Sequence, residues 1–267
     1  MPAPRDTATT IDRLLAAARR VEEVDSTSLW ARRAIEAGEA SENGALFVAA
    51  TQTGGRGRLG RAWASPEGGL WTTLAHPIPP ERHDALVDGL GLRVGAACLT
   101  TIRETLAAAG ADPNRVRLKW PNDVLIDGRK TLGALTEVVR AGGRAWALIG
   151  VGVNANNALD DLPDDVRAHA TTLRDALRAP VDLERLLRTL VTHLLTALAR
   201  DGADALSLRA ARASLHGVGT TYTVTLPDGA RVEGVLEGLN RDGLPLLRTR
   251  EGAYVPPRIA ELGAMEA

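Results

Sequence analysis

The sequence predicts an α+β protein, with helices and short strands interleaved over most of the chain and a small all-β unit after them. Three patterns predict it. Apolar residues recur at helical spacing over 85–109 and 183–198. Short apolar runs of strand length occupy 45–50, 70–75 and the region 115–153. From Gly217 onward the texture changes to alternating strands separated by turn residues.

The elements follow in order. Residues 11–21 form an amphipathic pattern and predict a short helix. A second helix is predicted over 26–37, where Ser26, Thr27 or Ser28 can cap the start and Gly38 suits the end. Strands are predicted at 45–50 and 70–75, then one long helix at 85–109 through Leu86, Leu90, Val94, Cys98, Ile102 and Leu106. Strands at 115–119, 123–126, 134–140 and 145–153 follow, with Asp127-Gly128 as a turn between the second and third. Asp182 is a predicted N-cap for the helix at 183–198, Gly202 marks its end, and further helix runs to about Leu215. Strands at 220–226, 232–236 and 244–249 are separated by turns at Pro227-Asp228-Gly229 and Asp242-Gly243. The change of texture divides the chain into units 1–216 and 217–267.

Composition narrows the function classes. A formal net charge of −1 over 267 residues argues against a general nucleic-acid binder, which carries a strong basic excess. One cysteine, Cys98, rules out an internal disulfide framework and a four-cysteine zinc site; its apolar surroundings make it a core residue. No apolar run reaches membrane-spanning length, and the N-terminus has no secretory apolar region, so a cytoplasmic protein without membrane contact is expected. Of 32 basic residues only Lys119 and Lys130 are lysine. A chain that writes its other cations as arginine has kept two compact, rotatable point charges eleven positions apart, which points to a chemical requirement.

The segment TQTGGRGRLGRAW, Thr51 to Trp63, holds three arginines, four glycines and no acid. Gly55, Gly57 and Gly60 match the dinucleotide-binding spacing, but Pro66, Gly68 and Gly69 follow where that fold needs a helix. A phosphate-binding P-loop would need lysine where Arg61 stands. The loop is therefore read from its chemistry. Glycines let backbone N–H groups approach an anion, and Arg56, Arg58 and Arg61 offer paired donors to phosphate or carboxylate. Three like charges this close predict a loop that is mobile until an anion neutralises it. Gln52, the only glutamine in the chain, and Trp63 flank it.

LKWPNDVLIDGRKTLGALTE, Leu118 to Glu137, holds both lysines. Trp120 precedes a proline and is therefore extended. Asp123 beside a polyphosphate makes electrostatic sense through Mg²⁺, so it is read as a metal ligand or a contact to the ATP amine. Lys130 precedes a strand whose Gly133 permits close approach, and can neutralise a carboxylate attacking phosphorus. Lys119 is assigned to ordering the Asp123 region. In IGVGVNAN, Gly150 and Gly152 suggest a flat ligand against the strand, and Asn154 is a further candidate for metal or phosphate.

Taken together, Asp25-Ser26-Thr27, GRGRLGRAW, KWPND, Lys130 with Gly133 and Glu137, and GVGVN resemble the biotin protein ligase family, over roughly residues 24–156. The resemblance implies a catalytic domain with a mixed sheet flanked by helices, related to class II aminoacyl-tRNA synthetases, and a C-terminal SH3-like β-barrel. It implies that biotin is activated by ATP as biotinyl-5′-AMP and transferred to a lysine of a biotin carboxyl carrier protein. Ser26, Thr27, Ser28 and Gln52 would hold the biotin ring. Gly55, Arg56, Gly57 and Arg58 would form the closing loop. Lys130 and Arg58 would be catalytic, and Arg58, Arg61, Trp63, Asp123 and Asn154 would serve ATP, the last two near Mg²⁺. Gly133 and Gly152 would lie against the ligand. Ser28 departs from the asparagine frequent in the family. The region before Ser26 is too short for the DNA-binding domain of its repressor members, so no DNA partner is expected. Sheet-edge homodimers occur in the family, and the sequence itself carries no signal for one. The rival readings are a lipoate or octanoyl ligase or transferase of the same fold and an RNA-binding protein using the Arg-Gly loop.

Overall fold

A computed structural model describes residues 4–202, 204–226, 228–256 and 261–264. The predicted turn residue Pro227 and the outermost residues of both predicted units lie outside these. A seven-stranded mixed sheet is built from β1 (Arg19–Val24), β2 (Ala45–Gln52), β3 (Leu70–Ile78), β4 (Val116–Lys119), β5 (Asp123–Ile126), β6 (Arg129–Ala141) and β7 (Arg144–Val153). Its order is β1-β2-β3-β7-β6-β5-β4. Only the β1–β2 pair is parallel; every other pair is antiparallel. The helices are α1 (Pro4–Ala16), α2 (Thr27–Glu36), α3 (His83–Val87), α4 (Leu90–Ala108), α5 (Asp164–Arg167), α6 (Leu173–Leu177), α7 (Leu183–Leu198) and α8 (Ala205–Ala213).

The two faces of the sheet are covered differently. On one face α4 and α7 bury Val94, Leu99, Ile102, Leu187, Leu190 and Val191 with Leu74, Ile149 and Val151. On the other, the small residues of α2, Ala31 and Ala34, let it lie close over Phe47, Ala75, Trp146 and Leu148. Asp182 caps α7 as predicted, its carboxylate accepting from Glu184 N and Arg185 N at 2.9 and 3.1 Å. The β5–β6 connection is a tight hairpin in which Asp127 and Gly128 both take positive φ, 49° and 78°, as a type I′ turn requires.

Two predicted elements are corrected. Residues 19–21 belong to a strand, not to the first helix: α1 stops at Ala16 and β1 pairs with β2, Arg19 opposite Phe47. The charged sequence of β1 has no strand pattern of its own, and its partner supplies the conformation. The long helix over 85–109 is broken between α3 and α4, where Gly89 adopts φ 64°. The break is held by Arg93. Its guanidinium is fully buried and donates to the carbonyls of Leu86, Asp88 and Gly202, joining both helices to the chain beyond α7.

The C-terminal unit is a five-stranded antiparallel sheet of β8 (Thr221–Thr225), β9 (Arg231–Leu239), β10 (Pro245–Thr249), β11 (Gly252–Tyr254) and β12 (Glu261–Ala264). The order is β11-β10-β9-β8-β12, and no pairing between β11 and β12 closes it among the described residues. Its core residues Tyr222, Val224, Leu236 and Leu247 are continuous with the main core. Residues 214–216 cover the outer edge of β4 through Leu118 N to Ser214 O and His216 N to Leu118 O, both 2.8 Å. No single described helix is long and apolar enough to cross a membrane.

Candidate active site

A cavity opens where the start of α2, the end of β2, the Arg-Gly segment, the β4–β5 turn and the middle of β6 and β7 converge. It brings together Ser26, Thr27, Ser28, Gln52, Arg56, Gly57, Arg58, Arg61, Trp63, Asp123, Lys130, Gly133 and Gly152 from the sequence-predicted set. Two members of that set do not line it. Gly55 packs inside the loop, where a side chain would strike Trp63 O and Ser65 Oγ. Asn154 is buried beyond the end of β7, and its Oδ1 has no hydrogen-bond partner.

One end of the cavity is a chain of hydroxyls. Ser26 precedes α2 but does not cap it through its side chain; Asp25 Oδ1 instead accepts from Ser26 N at 2.7 Å. Arg33 binds the same carboxylate at 2.7 and 2.8 Å and holds it well below the usual range, at about 2. Thr27 donates both N and Oγ1 to Gln52 Oε1, at 2.8 and 3.1 Å. Thr73 Oγ1 donates to Thr27 Oγ1 at 2.9 Å and meets Ser28 Oγ at 3.1 Å. Since Thr27 spends its proton on Gln52 and Thr73 spends its own on Thr27, Ser28 is the donor to Thr73. Gln52 Nε2 continues the chain to Ser65 Oγ at 2.7 Å. Sequence reasoning missed Thr73 and Ser65. The signal for Thr73 was two adjacent threonines, Thr72 and Thr73, inside an apolar strand, where a buried hydroxyl needs a partner.

The floor is the β6–β7 pair. Gly133 lies opposite Gly152, and the indole of Trp63 covers both. An added Cβ would sit 2.8 Å from Trp63 Cζ3 at Gly133 and 2.5 Å from Trp63 Nε1 at Gly152. Gly150 has a different neighbour, Ser28 Oγ, at 2.5 Å from a built Cβ. Lys130 Nζ stands 5.0 Å above the Trp63 ring and 2.7 Å from Asp123 Oδ2. The Lys130 backbone is pinned by residues 169–171, through Lys130 N to His169 O and Thr171 N to Lys130 O.

The Arg-Gly segment forms a hydrogen-bonded ribbon here. Trp63 N donates to Gly55 O at 2.9 Å and Gly57 N to Arg61 O at 2.8 Å. Its tip carries Leu59 at φ 56° and Gly60 at φ 74°. Charge is strongly one-sided. Arg56, Arg58, Arg61, Lys119 and Lys130 line the cavity against one carboxylate, Asp123, so both lysines of the chain are here. A protein of net charge −1 has gathered cations where field lines are focused by low-dielectric walls. The arrangement suits two anions brought into contact.

The mixed sheet carrying this cavity is the biotin ligase catalytic fold. It matches the biotin protein ligase of Aquifex aeolicus in complex with biotin and ATP with a TM-score of 0.73 and 25% identity, over 93% of this chain and 98% of that one. The family described as biotin/lipoate A/B protein ligase matches residues 24–154. The biotin--[acetyl-CoA-carboxylase] ligase of Mycobacterium tuberculosis is 30% identical over 202 residues, 75% of this chain and 72% of that protein. The bifunctional ligase/repressor BirA of Bacillus spizizenii is 34% identical over 222 residues, 78% of this chain. The chain spans 63% of the length of that relative. On these matches the chain belongs to the biotin protein ligases of the biotin/lipoate A/B protein ligase family.

Proposed function

We propose that the protein activates biotin with ATP as biotinyl-5′-AMP and transfers the biotinyl group to a lysine of a biotin carboxyl carrier protein, in the cytoplasm. The observation that carries this reading is the five cationic side chains around one cavity whose other end is a chain of hydroxyls and a carboxamide. A ureido ring offers both donors and an acceptor to such an end, and buried polar groups reject a ring that lacks them.

In the first step a carboxylate oxygen of biotin attacks the α-phosphorus, the bond from phosphorus to the bridging oxygen breaks, and pyrophosphate leaves. Lys130, Arg56, Arg58 and Arg61 neutralise the approaching anions, the largest electrostatic demand of the step. In the second step the neutral acceptor amine attacks the acyl carbon, the bond to the AMP oxygen breaks, AMP leaves, and the amine's extra proton passes to solvent. Ser26, Thr27, Ser28 and Gln52 fix the ring, and Trp63, lying over Gly133 and Gly152, serves ATP.

Mg²⁺ brought with ATP would be held by Asp123 and would supply charge neutralisation at the phosphates. The donors fit that role and no larger one. Asp123 is the single carboxylate among the described residues lining the cavity, and no group of three or more metal-ligating side chains occurs among the described residues. Mg²⁺ characteristically takes one or two carboxylates and completes its shell with phosphates and water. Asn154 would join it only if its buried Oδ1 turned into the cavity. The units 1–216 and 217–267 are proposed as a catalytic domain and an SH3-like domain.

The test is incorporation of labelled biotin into a carrier domain with ATP, with lipoate and RNA as competitors. Biotin-dependent, ATP-dependent labelling is expected. Lipoate transfer, or RNA binding without ATP use, would overturn the reading.

A further inference from the structure

Trp120 lines the cavity, and its indole Nε1 donates to the carbonyl of Gly243 at 2.9 Å. Gly243 belongs to the β9–β10 turn of the C-terminal sheet, 123 positions away. This turn is held by its own hydrogen bonds. Asn240 Oδ1 accepts from Asp242 N and Leu244 N, both 2.9 Å. Asn240 N donates to Leu244 O at 2.8 Å and Gly243 N to Asn240 O at 3.2 Å. Gly243 is buried and takes φ 79°, a conformation that favours glycine.

The neighbouring residues of Trp120 are held from two other sides. A Cβ on Gly95 of α4 would strike Pro121 O, so that helix touches the segment backbone to backbone. Asn122 Nδ2 donates to Ala134 O on β6, and Ala134 N returns to Asn122 O at 3.2 Å. Lys119 and Asp123, which flank this stretch, pair across β4–β5 and both line the cavity. Helix and sheet therefore fix Pro121 and Asn122, and only the Gly243 carbonyl holds the indole among the hydrogen bonds of the described residues.

We infer that the Asn240–Gly243 turn is a positioning element for the active site, acting through the Trp120 indole to hold Lys119 and Asp123 in register with Lys130. The inference rests on the reaction proposed above for its kinetic part. Its structural part does not.

The experiment is a double-mutant cycle on the full chain. Trp120→Phe keeps an aromatic wall and removes the donor; Asn240→Ala loosens the turn. Each single variant should lower kcat for adenylate formation about three- to tenfold, the scale of one neutral hydrogen bond. KM for biotin should stay within twofold, because the Ser26–Ser28 end is untouched. The double variant should be no slower than the worse single one. Asn240→Asp, which keeps an acceptor oxygen, should restore kcat. Amide exchange over residues 118–124 should quicken in both single variants without ligand. Additive losses, a loss confined to KM for biotin, or unchanged exchange at 118–124 would each overturn the inference. If Asn240→Ala fails to fold, Asn240→Ser, whose hydroxyl makes such turn bonds more weakly, takes its place in the cycle. A wild-type chain that makes no adenylate would defeat the proposed reaction, while the exchange measurement would still decide the contact.

Discussion

Lys130 and Asp123 form an ion pair, Nζ to Oδ2 2.7 Å, at the point where the cavity floor meets the β4–β5 turn. The two side chains are 34% and 26% exposed, so the pair is partly screened and contributes at most about 1 kcal/mol to stability. Its value lies in position. The same ammonium rests over the Trp63 ring, and the lysine is preorganised beside Asp123, the one carboxylate among the described residues lining the cavity.

Lys130→Ala should therefore leave the fold standing and cripple the chemistry. Adenylate formation, followed as pyrophosphate release, is expected to slow by roughly a hundred- to a thousandfold, the loss associated with one preorganised charge-stabilising group. The thermal midpoint should move by a few degrees at most. A slowing of less than tenfold would remove Lys130 from the reacting centre.

The two glycines of β7 separate the two ends of the site. At Gly150 a methyl group meets Ser28 Oγ, and at Gly152 it meets the Trp63 indole. Gly150→Ala is expected to weaken biotin binding at least tenfold with ATP binding nearly unchanged. Gly152→Ala should displace Trp63, alter tryptophan fluorescence and weaken nucleotide retention. Both overpack a close contact and should cost about 1–3 kcal/mol of stability. Equal effects of both variants on both ligands, measured by calorimetry, would show that the ends are not distinct.

Burial pushes the His76 imidazole down to about 4, with Arg82 adding to the shift. A group whose folded value lies below its free value stabilises the native state above the free value, near 6.5, and that contribution is lost as pH falls toward 4. Stability should decline through this window by at most about 1.4 kcal/mol per pH unit from this residue. His76→Gln should flatten that part of the curve of unfolding midpoint against pH. An unchanged slope would show that His76 is solvated.

Cys98 is fully buried in α4, and desolvation drives its thiol up to about 12. Thiolate is the reactive form, so native protein at neutral pH should resist iodoacetamide and denatured protein should take up one label. Rapid native labelling would place Cys98 at a surface. This also speaks against a cysteine nucleophile of the kind an octanoyl transferase would need.

Much of the chemistry was legible in order of residues. The two lysines and the Arg-Gly segment with Gln52 stood out by residue type, while the three hydroxyls before Leu29 were singled out as ligand contacts only by the family resemblance; all of them meet in one cavity. Local structure with local causes was legible too. The Asp127-Gly128 hairpin and the Asp182 cap depend on a few neighbouring residues, and both stand as read.

What the sequence alone determined was the inventory: which charges, hydroxyls and close-approach glycines were available, and where short-range turns and caps had to fall. Tertiary structure decided the partners. It made a strand of β1, broke the α3–α4 helix around Arg93, enlisted Thr73, set Trp63 over Gly152, left Asn154 outside the cavity and tied Trp120 to Gly243. Most of these join groups far apart in the chain, and no periodicity within one segment encodes a hydrogen bond or a packing contact whose other half lies in another.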